Sequence, residues 1–224
     1  MIAGYSARAT WPAGFTIYER SSRADGIFIV QRGRIVLRSR VKNGRGFVPM
    51  IVGPDETFGS EGLAPGAGYA TDATADVETE TLFLGTERVR NLMRERPQHA
   101  MALVAQVMAE RSCLCDRLRE IATLSVEQRL IAALVRFAGS GTFVAPDGRL
   151  ELTAARYRIL CEYVGATRES VSLVLGKLAA EDLVDRTGNT MTVAPLARLL
   201  EKLEPATIDP GLIPPVDSRM QALH

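Results

Sequence analysis

Between Gln98 and Leu124 the chain contains neither glycine nor proline, and its apolar residues recur every three or four positions. Val104, Val107, Leu114, Leu118 and Ile121 carry this spacing, with Arg111 interrupting the seam. At 1.5 Å per residue such a helix runs ~40 Å, so it must separate whatever precedes it from whatever follows. Its apolar stripe also has to be covered. A second copy of the same helix is the simplest cover and gives a two-fold dimer; packing on the chain's own N-terminal region is the alternative.

Upstream of Pro97 the pattern is strands and turns. Residues 26–30 and 34–38 are β-branched and aromatic runs with Gly33 between them, and Asn43-Gly44 with Gly46 is a hairpin signal before residues 47–52. Gly53-Pro54-Asp55 breaks that strand, a glycine-rich loop opens at Phe58, and residues 77–84 alternate as a closing strand. Many short strands at regular spacing predict an antiparallel barrel or roll over residues 1–96.

Downstream, Ser125 is placed to cap a helix that ends at Gly139-Ser140-Gly141, and a turn at Pro146-Asp147-Gly148 precedes a short strand over residues 149–152. Thr153 caps a helix reaching Tyr163 or Val164, Gly165 breaks it, and Thr167 caps the next helix, from Arg168 to about Ala180. Residues 183–185 and 190–193 read as a hairpin around Thr187-Gly188-Asn189, and Pro195 suits the first position of a last short helix. Helix, glycine turn, capped helix and hairpin in that order make a winged helix-turn-helix.

Within its second helix, Val171, Val174, Leu175 and Leu178 follow helical spacing and must face a core. The opposite face carries Arg168, Glu169, Ser172, Leu173, Gly176 and Lys177. Arg168 and Glu169 fall in the first turn, where arginine forks onto guanine and glutamate accepts from cytosine. Ser172 lies one turn on. Thr167 with the free amides at the helix start suits a phosphate oxygen. Arg156, Arg158 and Lys177 are either phosphate contacts or solvated surface charges.

Composition removes other classes. The chain has 224 residues, 46% hydrophobic and 24% charged, enough for two ordinary domains and too apolar for disorder throughout. No run approaches the ~18 apolar residues of a membrane span, and Met1–Tyr5 has neither a basic nor an apolar leader character. The expectation is a soluble, cytoplasmic protein. Twenty-seven basic against 26 acidic residues give +1, which excludes a histone-like polycation yet allows a local basic face. His99, His224, Cys113, Cys115 and Cys161 have no zinc spacing; His99 is expected exposed near a helix start and Cys161 in a core. No nucleophile–base pair, metal set or phosphate loop appears, so neither an enzyme nor a cofactor is expected.

Three segments together resemble the cAMP-receptor/FNR-type bacterial transcription regulators. Val164-Gly165-Ala166-Thr167-Arg168-Glu169-Ser170-Val171-Ser172 is close to the family's VG-x-SRETVSR. Leu124-Ser125-Val126-Glu127-Gln128-Arg129-Leu130-Ile131-Ala132 is similar to the segment joining its dimer helix to its DNA-binding domain, and Ile27–Ile35 is similar to its Y-x-I-x-x-G-x-V strand pair. The resemblance covers nearly the whole chain, to about Leu203. It implies an α+β architecture: an N-terminal cyclic-nucleotide-binding-type β-roll (residues 1–96), a dimerisation helix (97–124), a winged helix-turn-helix (125–204) and a proline-rich tail (205–224). It also implies a homodimer on double-stranded DNA at an inverted repeat, and contact with RNA polymerase as an activator.

Departures from the family narrow this further. Leu173 stands where a recognition arginine is usual, so either it meets a thymine methyl or it turns inward and reads nothing. Cyclic-nucleotide binders place Gly-Glu and Arg-Ser/Thr around the ribose and phosphate; here the corresponding pairs are Gly59-Ser60 and Tyr69-Ala70. The dimer-helix hydroxyls that meet the base are replaced by Leu114 and Cys115. A buried phosphate without a cation is unfavourable, so cAMP is not expected to bind, and Gly59, Gly62, Gly66 and Gly68 read as sharp turns. Three alternatives stay open: gating by an unidentified small molecule, gating by cysteine oxidation, or an interaction module with a vestigial DNA domain.

Overall fold

The computed structural model describes residues 6–40 and 46–203; the Asn43-Gly44 signal, the leader reading of Met1–Tyr5 and the proline-rich tail lie outside them. The chain divides into two compact units, Met1–Leu118 and Arg119–His224.

In the first unit the described strands are β1 (Ser6–Trp11), β2 (Thr16–Tyr18), β3 (Gly26–Arg32), β4 (Ile35–Arg40), β5 (Gly46–Val52), β6 (Thr57–Phe58), β7 (Asp72–Ala75) and β8 (Thr79–Gly85). They pair antiparallel in two four-stranded sheets, ordered β1-β8-β3-β6 and β2-β7-β4-β5. Alternation along each strand sends one set of side chains inward. Tyr18, Phe28, Val30, Ile35, Leu37, Val52, Phe58, Tyr69, Ala73 and Ala75 thereby form one buried cluster. Phe28 stands opposite both Phe58 and Phe83 in register and lies 4.9 and 4.8 Å from their ring centroids. Trp11 donates from Nε1 to the buried Thr81 hydroxyl at 2.8 Å, so that hydroxyl is not orphaned.

A 3-10 turn, Ser60–Leu63, presses onto β3 backbone to backbone: a Cβ on Gly62 would lie 2.1 Å from the Gly26 carbonyl oxygen. Close approach, rather than a sharp turn, fixes that glycine. The roll is not all strand. Thr86–Glu95 is a helix, α1, where the sequence pattern suggested continued strands and turns. Val89, Leu92 and Met93 give it an apolar face at helical spacing, with Val89 buried. The long helix α2 follows at Pro97–Thr123.

The second unit is built on α3 (Val126–Ser140), whose run from Leu130 to Val135 is buried throughout. Each large aliphatic side chain buried there contributes ~1.5–3 kcal/mol of transfer free energy. Ser125 opens α3 with a reciprocal box: its side chain accepts from the Gln128 amide, and the Gln128 side chain accepts from the Ser125 amide at 3.1 Å. Arg129 turns back onto the Ile121 and Leu124 carbonyls at 3.2 and 3.3 Å, serving the last turn of α2. Arg136 makes a two-point contact with the buried Glu120 carboxylate. Helices α4 (Ala154–Val164), α5 (Arg168–Ala180) and α6 (Leu196–Leu200) complete the unit with a sheet ordered β10-β11-β9, from β9 (Leu150–Glu151), β10 (Val184–Thr187) and β11 (Thr190–Val193). Pro195 sits at the N-cap of α6, one position before the expected one.

Candidate nucleic-acid interface

The turn between α4 and α5 is set by two residues. Gly165 closes α4 at φ +68°, and a Cβ there would meet nothing within 4 Å, so the backbone conformation alone demands glycine. Thr167 then caps α5 by accepting from the Ser170 amide at 3.2 Å. Val171, Leu175 and Leu178 are buried and Val174 half-buried, which fixes the rotation of the helix. Arg168, Glu169, Ser172, Leu173, Gly176 and Lys177 consequently line the exposed side. Leu173 is 77% exposed, which decides between its two expected orientations: it points outward.

The charged heads differ in what already holds them. The Arg168 guanidinium lies over the Tyr157 ring, 5.5 Å from its centroid, and Arg186 of β10 lies over the same ring at 5.1 Å. Tyr157 is buried, and burial pushes its phenol pKa up even against the pull of the two arginines and Ser172. The Glu169 carboxyl is held below the usual range by its own backbone amide first, then by the Thr167 hydroxyl. Lys177 reaches Glu127 at 2.6 Å and is occupied by that pair. Arg156 is a correction. Its side chain is 15% exposed, bound to Glu151 at 2.5 Å and laid over the Phe143 ring, so it braces α4 to β9 where the sequence suggested a phosphate contact. Arg158 is exposed. Sequence reading missed Arg186, although its place two residues after the buried Val184 was a usable signal.

On α2, Val104, Leu114, Leu118 and Ile121 are exposed, while Val107 is half-buried on the face it shares with Leu103 and Glu110. The sequence selection missed Met101 and Met108, exposed at 69% and 50%. Met101, Met108 and Cys115 lie seven apart and alternate with Val104, Arg111 and Leu118, which widens the exposed face beyond the stripe of Val104, Leu114, Leu118 and Ile121. Cys115 is exposed, Cys113 intermediate, and Cys161 buried with its thiol pushed up to about 11 by burial. His99 is exposed.

In the roll, Tyr69 is the residue that the family resemblance set against a phosphate-binding arginine. Its ring is 5% exposed, stacks on Tyr18 at 3.6 Å between centroids, and its hydroxyl donates to the Gly26 carbonyl at 3.1 Å. Burial pushes its phenol up to about 12. The neighbouring Ala70 amide donates to the Glu61 carboxylate at 3.0 Å, and Glu110 on α2 has its carboxyl raised by burial beside Ser60 and Glu61. The groups described around Tyr69 are thus its phenol, the Ala70 amide and the carboxyls of Glu61 and Glu110.

Comparison with known proteins defines the class first. Residues 8–96 match the cyclic nucleotide-binding domain model and residues 128–202 the Crp-like helix-turn-helix domain model. The architecture is thus a roll of the cyclic nucleotide-binding-domain type joined to a helix-turn-helix domain. The cyclic AMP receptor protein of Thermus thermophilus is 30% identical over 208 residues, covering 90% of each chain. Among solved structures, FixK2 from Bradyrhizobium japonicum superposes with a TM-score of 0.76 at 19% identity, covering 89% of this chain and 98% of that one. A CRP/FNR family regulator of Thermus thermophilus does so at 0.74 and 23%, covering 87% and 97%. The chain belongs to the CRP/FNR family and is a DNA-binding transcription regulator of that type. Among the described residues no helix is long and apolar enough to cross a membrane.

Proposed function

We propose that the protein is a cytoplasmic homodimer that reads an inverted-repeat promoter site without cyclic nucleotide and activates transcription through contact with RNA polymerase. The observation that carries the ligand-independent part is Tyr69: an aromatic ring stacked at 3.6 Å and 5% exposed stands where a phosphate would need a cation. The exposed seam of Met101, Val104, Met108 and Leu118 supports pairing with a second copy. Such a dimer sets its two α5 helices about one DNA turn apart, roughly 34 Å. Activation is the output that the family resemblance favours, and repression by covering a promoter uses the same contacts.

Selection from a random DNA pool, with protein purified without added ligand, tests this reading. The expected product is an inverted repeat; a featureless pool overturns it. Calorimetry with cAMP should give no heat, and micromolar binding would overturn ligand independence. Arg168→Ala should cost ~1–3 kcal/mol and relax preference at one base pair.

Gating by oxidation is favoured at one position only. Cys115 is exposed on the α2 seam, in line with Met101 and Met108. Non-reducing electrophoresis checks it: a disulfide-linked dimer lost in Cys115→Ser supports it, and a monomer band under oxidant removes it.

A further inference from the structure

The cleft between α5 and the wing hairpin holds two arginines, and the pleat of β10 decides where one of them points. Val184 is buried and Arg186 lies two residues on, so both share a face of the strand. Met191, directly across from Arg186, is fully buried, so this is the face turned toward the helices. The Arg186 guanidinium therefore runs past the edge of the core onto Tyr157, 5.1 Å from the ring centroid, where Arg168 lies at 5.5 Å. Attraction of both cations to one ring offsets the repulsion between them. Among the described residues neither guanidinium has a carboxylate within ion-pair distance. Glu169, the acid on the same rim, is engaged by its own backbone amide and Thr167. The cleft is a concave notch of about 430 Å³, with Ser172 and Asn189 supplying hydroxyl and amide groups to its walls.

Two arginines lining one notch with hydroxyl and amide groups, against the single carboxylate of Glu169, form an arrangement of net positive charge that an anion completes. Resting on the reading that α5 enters the major groove, we propose that this notch seats one backbone phosphate of the bound DNA. Arg186 is its ligand from the wing, and Tyr157 is the positioning residue that presents Arg186 beside Arg168. The phosphate contact adds affinity on every sequence alike, while the Tyr157 ring separately steadies Arg168 for a single base pair.

The test measures affinity of the full-length protein for its selected DNA across a salt series. Arg186→Ala should weaken binding several-fold on every sequence alike and flatten the plot of log affinity against log salt by about one per protomer. Base preference should not change. Tyr157→Leu should flatten the plot equally and also relax preference at the Arg168 base pair, while Tyr157→Phe, which keeps the ring, restores both. An unchanged salt slope in Arg186→Ala overturns the proposal, as does a changed base preference with an unchanged slope. If Tyr157→Leu gives no cooperative melt, Arg186→Ala and Tyr157→Phe still decide. A wild-type protein with no sequence preference sinks the major-groove reading itself; a selective wild type indistinguishable from Arg186→Ala sinks only the notch.

Discussion

Of the positions at which the sequence departs from the family pattern, Tyr69 in the first unit and Leu173 in the second are treated in opposite ways by the fold. Tyr69 is drawn into the roll, stacked and hydrogen-bonded with 5% of its surface exposed, whereas Leu173 stands out from α5 with 77% exposed. The first replacement buries its ring in the core of the roll. The second leaves a surface available and changes what it can recognise. A departure therefore carries meaning only once its side chain is placed: an inward one alters whether a ligand can enter, an outward one alters which ligand is preferred.

Tyr69→Ala tests the inward half and should have the largest effect. Removing a buried aromatic ring costs about 3–5 kcal/mol, so urea unfolding should report a loss of that size in the roll, with DNA base preference intact. A loss under about 1 kcal/mol would mean that the ring is not packed and the contrast with Leu173 fails. Leu173→Arg tests the outward half. A guanidinium at this exposed position should restore discrimination for guanine at one base pair by ~1–3 kcal/mol, read by repeating the DNA selection, with little change in unfolding. An unchanged selected site would show that this position does not reach a base edge.

The smallest effect is in the response to acid, where the two units should differ in sign. Burial holds the carboxyls of Glu56 and Glu110 above the usual range. The native roll therefore keeps protons that the unfolded chain has released, and its stability falls as pH rises from the ordinary carboxylate value through the raised ones. In the second unit Lys202 holds Glu181 low, and the backbone amide at its own position holds Glu169 low. Their contribution is present above the ordinary value and fades as pH falls through the lowered ones. Residue-resolved hydrogen exchange, corrected for intrinsic rates, should show the roll losing stability as pH rises above the ordinary carboxylate value and the second unit losing it as pH falls below that value. Glu110→Gln should reduce the slope of the roll alone. Parallel slopes would break the distinction.

Much of this was legible in the sequence because local chemistry sets it. Ser125, Thr153 and Thr167 cap as their side chains predict, Gly165 ends α4 in the left-handed region, and the Val171–Leu178 spacing fixes which face of α5 is free. What was missed depends on contacts distant in sequence. Helix α1 is short, and its apolar residues gain meaning only from packing on β3 and β8. Arg156 looks like any surface cation until Glu151 and Phe143 are brought to it. Met101 and Met108 were passed over because the stripe was chosen from β-branched and leucine residues alone, although four of its five members, Val104, Leu114, Leu118 and Ile121, are exposed with them. Tyr69 and Leu173 were both legible as departures, yet only the fold separates an inward side chain from an outward one.

The junction after α2 has one more consequence. Ser125 and Gln128 lock the near end of α3 by two reciprocal bonds, while Arg129 ties off the carbonyls of Ile121 and Leu124. Merging the two helices into one continuous rod would require all four of these bonds to break. The break between α2 and α3 is thereby written into four side-chain bonds, so its address at Leu124 and Ser125 is fixed along the chain.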